Sequence, residues 1–259
     1  LRLWGVLDGA LVQAQKAVEL DPTNYLAHQA LGQTYAARGE QGTMKAAVDA
    51  YKEAARLATG EPKAVQATLQ DDMALVLAAL GDNEASIEAY RKACSLDPTN
   101  AQYLNNLGAA LQRSGNLPEA QQAIARAVEL EPGGTAYVAN LAVASREAGD
   151  LDTAIATYLE AIRLDANNAQ MHQQLGWTLY MRSDPGKAIA SYIAARTADI
   201  TDDQVREALA TVALHFFRNQ RTSRIDAMDP RVYEATPRLA RSPNPGLTLR
   251  SDLRELWNT

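Results

Sequence analysis

At 259 residues, with 47% hydrophobic, 22% charged and 6% aromatic side chains, the chain has the composition of a soluble globular protein and is too apolar to be disordered. A net charge of −6 argues against a generic nucleic-acid binder, and the single cysteine, Cys94, excludes an internal disulfide framework and any cysteine-clustered metal site. The longest apolar run, Met73 to Leu80, is far short of the roughly 20 residues of a membrane-spanning helix.

In chain order, residues 1–24 read as the end of a repeating unit, mostly its second helix, stopped at Asp21-Pro22. Full units then start near Tyr25, Ala67, Ala101, Thr135 and Ala169. Gly81, Gly115 and Gly149 are 34 residues apart, Ser183 takes the next slot, and Gly5 and Gly39 share the same step. Asp97-Pro98 and Glu131-Pro132 repeat the spacing, and Asp165-Ala166 continues it without proline. From Gly39 to Gly81 the step is 42, so eight residues are inserted, expected partly at Gln41-Gly42-Thr43 and partly over Thr59 to Lys63. Within the unit from Ala101, Leu104, Leu107, Gly108 and Leu111 recur on one helical face. Gly115 breaks that helix, and Pro118 sits in the opening turn of the next, where a missing N–H is harmless. Ala120, Ile124, Ala127 and Val128 form its inward stripe. Each unit is therefore predicted to be a helix–turn–helix. Residues 203–217 fit one more helix, with Val205, Leu209, Val212, Ala213 and Phe216 on one side, suited to covering the last apolar face of a stack.

These units resemble the tetratricopeptide repeat, whose signature is W-x2-L-G-x2-Y followed by A-x3-F and a later alanine. The first half appears as His28-x2-Leu31-Gly32-x2-Tyr35, Leu104-x2-Leu107-Gly108-x2-Leu111 and His172-x2-Leu175-Gly176-x2-Leu179. The second half appears as Ala47-x3-Tyr51, Ser86-x3-Tyr90, Ala120-x3-Ile124, Ala154-x3-Tyr158 and Ala188-x3-Tyr192, with Ala54, Ala93, Ala127, Ala161 and Ala195 as the later alanine. The resemblance implies an all-α, right-handed superhelical solenoid. A repeat array over 1–200 is expected, with a capping helix at 201–217 and an extended arm at 218–259.

By the same resemblance, the first helices line a concave wall that includes Gln29, Gln33, Thr68, Asp71, Gln102, Asn105, Gln112, Arg113, Arg146, Gln173, Trp177 and Tyr180. The Lys/Asn set with which some relatives grip a terminal carboxylate is absent. Asn106 and Asn140 match an asparagine ladder that pairs with a peptide backbone, although Ala30, Asp72 and Gln174 interrupt it. Partner-binding residues are accordingly expected at Gln102, Asn105, Asn106, Arg113, Asn140, Arg146, Gln173, Trp177 and Tyr180.

The arm carries eight Arg, no Lys and five acids, a balance of +3 against −9 on the rest. Four prolines favour extended structure there, and about 30 such residues reach some 90 Å. Leu249, Leu253, Leu256 and Trp257 form a short amphipathic stretch, the second expected contact surface. No phosphate-loop, dinucleotide, nucleophile-elbow or zinc-protease string occurs. His28, His172 and His215 lie in different units and read as packing residues, so no catalytic, cofactor or metal site is assigned.

The expected function is a non-catalytic scaffold or assembly factor whose partners are other protein subunits or extended peptides, not nucleic acid. Two alternatives are a bacterial pilotin or outer-membrane assembly lipoprotein and the substrate-recruiting segment of a larger enzyme. Leu1 is not a start methionine, which leaves a leader or lipid anchor, and with it the compartment, open.

Overall fold

A computed structural model of the chain describes residues 2–165, 168–182 and 188. The expected capping helix, the arm, and with it Leu249, Leu253, Leu256 and Trp257, lie outside the described residues, as does most of the stretch expected to form the second helix of the last unit. The described residues are all-α. The described residues up to Glu131 form one compact unit and those from Pro132 to Arg182 a second. The first holds α1 (Arg2–Leu20), α2 (Tyr25–Arg38), α3 (Gln41–Leu57), α4 (Lys63–Ala79), α5 (Asn83–Leu96), α6 (Ala101–Arg113) and α7 (Leu117–Leu130). The second holds α8 (Thr135–Glu147), α9 (Leu151–Leu164) and α10 (Ala169–Met181). Within each unit every helix packs on the next in sequence, giving consecutive helix pairs stacked as in a tetratricopeptide-type solenoid.

Backbone chemistry explains the regular pairing. At Gly115 the chain takes a φ of 83°, a left-handed conformation that other residues adopt only at a cost of roughly 1–2 kcal/mol. There the Gly115 N–H donates to the Gln112 carbonyl and the Asn116 N–H to that of Leu111, so the last carbonyls of α6 are satisfied as the chain reverses. The turns at Gly81 and Gly149 are built alike, and the residue after each glycine caps the next helix. Asp82 accepts from the Ala85 N–H and Asp150 from that of Thr153. The links between units use another device. In Asp97-Pro98-Thr99-Asn100 the aspartate accepts from the Thr99 N–H and hydroxyl, and Asn100 then caps α6. Asp21-Pro22-Thr23-Asn24 repeats it before α2.

Small residues set the helix spacing. Ala47, Ala54, Ala74, Ala120 and Ala154 are fully buried. A Cβ added to Gly108 would run into the Ile124 side chain and come within 3.1 Å of the Ala120 carbonyl. Between the alanines lie Tyr51, Leu69, Tyr90, Leu111 and Ile124 in the first unit, and Val138 and Tyr158 in the second. Fully burying such a side chain contributes roughly 1.5–3 kcal/mol.

The eight inserted residues fall where the spacing put them, inside longer helices and the turn between them. Ala47 stands eight residues after Gly39, whereas Ser86 and Ala120 stand five after Gly81 and Gly115, so three residues enter at 41–43 and extend α3 at its start. The other five enter before Ala67, so that α3 and α4 each run to 17 residues, against 13 or 14 in α5 to α7, with a 3-10 turn at Ala58–Gly60 between them. Gly42 lies in the first turn of α3, where glycine costs little.

Candidate functional site

In the first unit, side-chain bonds tie the first helices of successive repeats together. From α2, Gln29 donates to Asp72 of α4 at 3.5 Å, and from α6, Asn106 donates to Asp71 at 3.0 Å. The hydroxyls of Thr68 and Tyr103 meet at 3.1 Å. Asp71 and Asp72, neighbours in sequence, thus turn to opposite flanks of α4. Burial is the main cause holding both carboxyls above the ordinary aspartate range; the amides of Asn106 on one side, and of Gln29 and Gln33 on the other, act against it. Below them lie the buried phenols of Tyr51 and Tyr90, raised first by burial and then by the charge of Asp72 and of Asp71 respectively. Burial likewise pushes the Cys94 thiol up to about 11, so it is not a nucleophile at neutral pH. Leu26, Gln33, Leu75, Gln102 and Arg113 stand exposed on α2, α4 and α6, while Asn105, Asn106 and Gln112 are half-buried.

The second unit has a different character. Asn140 and Arg146 on α8, and Gln173 and Tyr180 on α10, are half-buried, while Trp177 is 43% exposed. The Trp177 and Tyr180 rings lie 5.6 Å apart, and Met181 continues the exposed ledge. Beside Arg146 lies the fully buried Tyr158 of α9, its hydroxyl raised by burial, with the charge and a side-chain hydrogen bond of Arg146 opposing and Glu147 adding to the rise.

Of the residues expected from sequence, Gln102, Asn105, Asn106 and Arg113 fall in the first unit, and Asn140, Arg146, Gln173, Trp177 and Tyr180 in the second. The structure brings Trp177 to Tyr180 and engages the Asn106 amide with Asp71. Sequence reasoning placed Asp72 only as a break in the ladder and Tyr158 only as a packing position. The recurring tyrosine at Tyr51, Tyr90 and Tyr158 signalled a buried phenol under each first helix, but nothing in the pattern said which charge would face it. Among the described residues no three His, Cys, Asp or Glu side chains converge as metal ligands, and no helix is long and apolar enough to cross a membrane.

Family models of the tetratricopeptide repeat match residues 14–46 and 105–169, and a model described as TPR repeat matches 74–115. No curated protein matches the chain. Several solved structures do. YrrB, described as a TPR protein with an unusual peptide-binding site, is 19% identical with a TM-score of 0.63, covering 76% of this chain and 96% of its own. PilF of Pseudomonas aeruginosa is 21% identical with a TM-score of 0.58, covering 89% and 97%. The C-terminal part of a TPR repeat-containing protein from Cytophaga hutchinsonii is 13% identical with a TM-score of 0.69, covering 83% and 84%. At such identities the likeness is one of fold alone.

Proposed function

The chain belongs to the tetratricopeptide-repeat proteins, a family that generally acts in protein–protein interaction, and on that premise we propose that it is a non-catalytic scaffold holding extended segments of partner proteins against its first helices. The observation that carries this reading is the outward face of α2, α4 and α6. Exposed amides at Gln33 and Gln102 alternate there with exposed leucines at Leu26 and Leu75. Such a face offers a peptide backbone hydrogen bonds and its side chains apolar contact, without a nucleophile or general base among its residues. YrrB, a structure of the same fold, is described as having a peptide-binding site, which supports the reading.

Site-specific photocrosslinking tests it. A benzoylphenylalanine at Leu75 is expected to capture partner chains, whereas one at Leu159, equally exposed but on the second helix of its repeat, is not. Adducts at Leu159 alone would put the working surface on the second helices and remove the proposal.

A further inference from the structure

The repeat phase contains two half-repeats, one in α1 and one at residues 203–217. In the second helices a small, a large and a small residue follow the turn glycine by five, nine and twelve positions: Ser86, Tyr90 and Ala93; Ala120, Ile124 and Ala127; Ala154, Tyr158 and Ala161. All of them are buried, because the first helix of the same repeat lies over them, and the Ser86 hydroxyl donates to the Ala74 carbonyl of that helix. Counted from Gly5, α1 carries the same slots at Ala10, Ala14 and Ala17, so it is a second helix. It packs on α2, and Leu7, Leu11, Ala14 and Val18 are its covered positions. The face that a first helix takes in the other repeats is bare. Ala10, Gln13 and Ala17 are exposed there, with Val6 and Leu20 at 70% and 76%. Leu96, Leu130 and Leu164, which hold the slot of Leu20 in the later repeats, are half-buried. Positions 6, 10, 13, 17 and 20 run along one side of the helix, and four of the five are apolar.

The complementary half is written at 203–217. First helices carry Leu107-Gly108, Leu141-Ala142 and Leu175-Gly176 at steps of 34, and Leu209-Ala210 is next in that series. No second-helix pattern of the same phase follows it. The three slots fall on Thr222, Asp226 and Asp229, the last followed by Pro230, and carboxylates in the slots of Tyr158 and Ala161 forbid that packing by the cost of burying a charge. Covering the last unit, which the series expects of this segment, uses one side of such a helix. The side that a first helix turns to its own second helix is left over.

We propose that residues 203–217 of one copy of this chain seat on the bare face of α1 of a second copy, completing one repeat across the contact. Five repeats separate the two halves in sequence, and a repeat contacts only its neighbours, so the halves meet between copies. The contact is heterologous: each copy gives one half and takes one, and association proceeds head to tail past the dimer. The residues of the scaffold reading on α2, α4 and α6 take no part, so the two proposals fail separately.

The test follows the full chain by sedimentation velocity from dilute to concentrated solution, where its sedimentation coefficient is expected to climb past the dimer value. Ala17→Glu places a charge in the seat at an exposed position, and Leu209→Asp places one in the segment. Each should raise the concentration of half-association by about tenfold or more. Circular dichroism checks that both keep the helical content of the parent. Mixed in equal amounts, the two variants have one open contact between them and should form a dimer and nothing larger. Amide exchange in α1 should slow as the parent is concentrated. A benzoylphenylalanine at Leu20, in a mixture of isotopically heavy and light chains, should join α1 to peptides from 203–217 across a heavy–light pair. A parent that stays monomeric at every concentration overturns the proposal. So does association that survives Leu209→Asp, the mark of α1 packing on itself or of another surface. Adducts confined to a single chain, the mark of an α1 covered by its own segment, overturn it as well.

Discussion

Gly108 shows how little room single positions leave. An added methyl there meets the Ile124 side chain and the Ala120 carbonyl, and the backbone carbonyl cannot step aside as a flexible side chain would. Gly108→Ala is expected to lower stability by roughly 1–3 kcal/mol despite the higher helix propensity of alanine, read as a loss of several degrees in thermal melting. Gly32→Ala should cost less, because the obstacle is the edge of the Tyr51 ring at 3.1 Å. Asp71 and Asp72 make a second residue-level case. Their folded-state pKa values lie above the ordinary 3.8, so between that value and the raised one the folded state holds more protons than the unfolded state. Stability therefore falls as pH rises through that window, and the ionised pair is a net cost at neutral pH. Asp71→Asn with Asp72→Asn should match or exceed the parent in melting temperature at pH 7 and flatten the loss of stability above pH 3.8. A double variant markedly less stable than the parent at pH 7 would show that the amides around the pair over-compensate its burial.

At the level of helices, turns and caps rather than helix propensity decide where each element ends. Gly115→Ala should cost about 1–2 kcal/mol because of its positive φ. Gly42→Ala, in the first turn of α3 with nothing within 4 Å of the added carbon, should instead gain a few tenths to about 1 kcal/mol. Opposite signs for these two glycines in chemical denaturation would check the assignment; equal losses would contradict it. This contrast also explains what could be read from the sequence. The turns at Gly81, Gly115 and Gly149 and the stops at Asp97-Pro98 and Glu131-Pro132 are local backbone chemistry, so they announced nearly every helix. Gly42 marks an insertion in the sequence, but composition alone does not distinguish a glycine inside a helical turn from one that ends it. The pairing of Asn106 with Asp71, and of Arg146 with Tyr158, depends on which helices become neighbours, and no spacing along one helix encodes that.

Across the whole molecule, stability is expected to be graded rather than uniform. Helices α4, α5 and α6 are packed on both sides within the first unit, whereas α1 packs on α2 alone and leaves Val6, Val12 and Leu20 largely exposed. Amide hydrogen exchange should therefore be slowest in α4 to α6 and faster by orders of magnitude in α1, since each helix opens against its nearest neighbours. Uniform protection from α1 to α6 would instead indicate a single all-or-none core.

The corner from Leu57 to Lys63 has a practical meaning. Five residues were accommodated there without disturbing the phase of any later unit, because Ala58 keeps the start of the 3-10 turn in the core while the added length runs into α4 and an exposed tip. Thr59, Gly60 and Glu61 are exposed at its tip. Loop closure becomes only slowly more costly with added length. This corner is thus a natural splice point, where an epitope, a fluorophore carrier or a small domain can be carried with the downstream repeats left in register, whereas the same cargo between Gly149 and Asp150 would break a turn on which two helices depend.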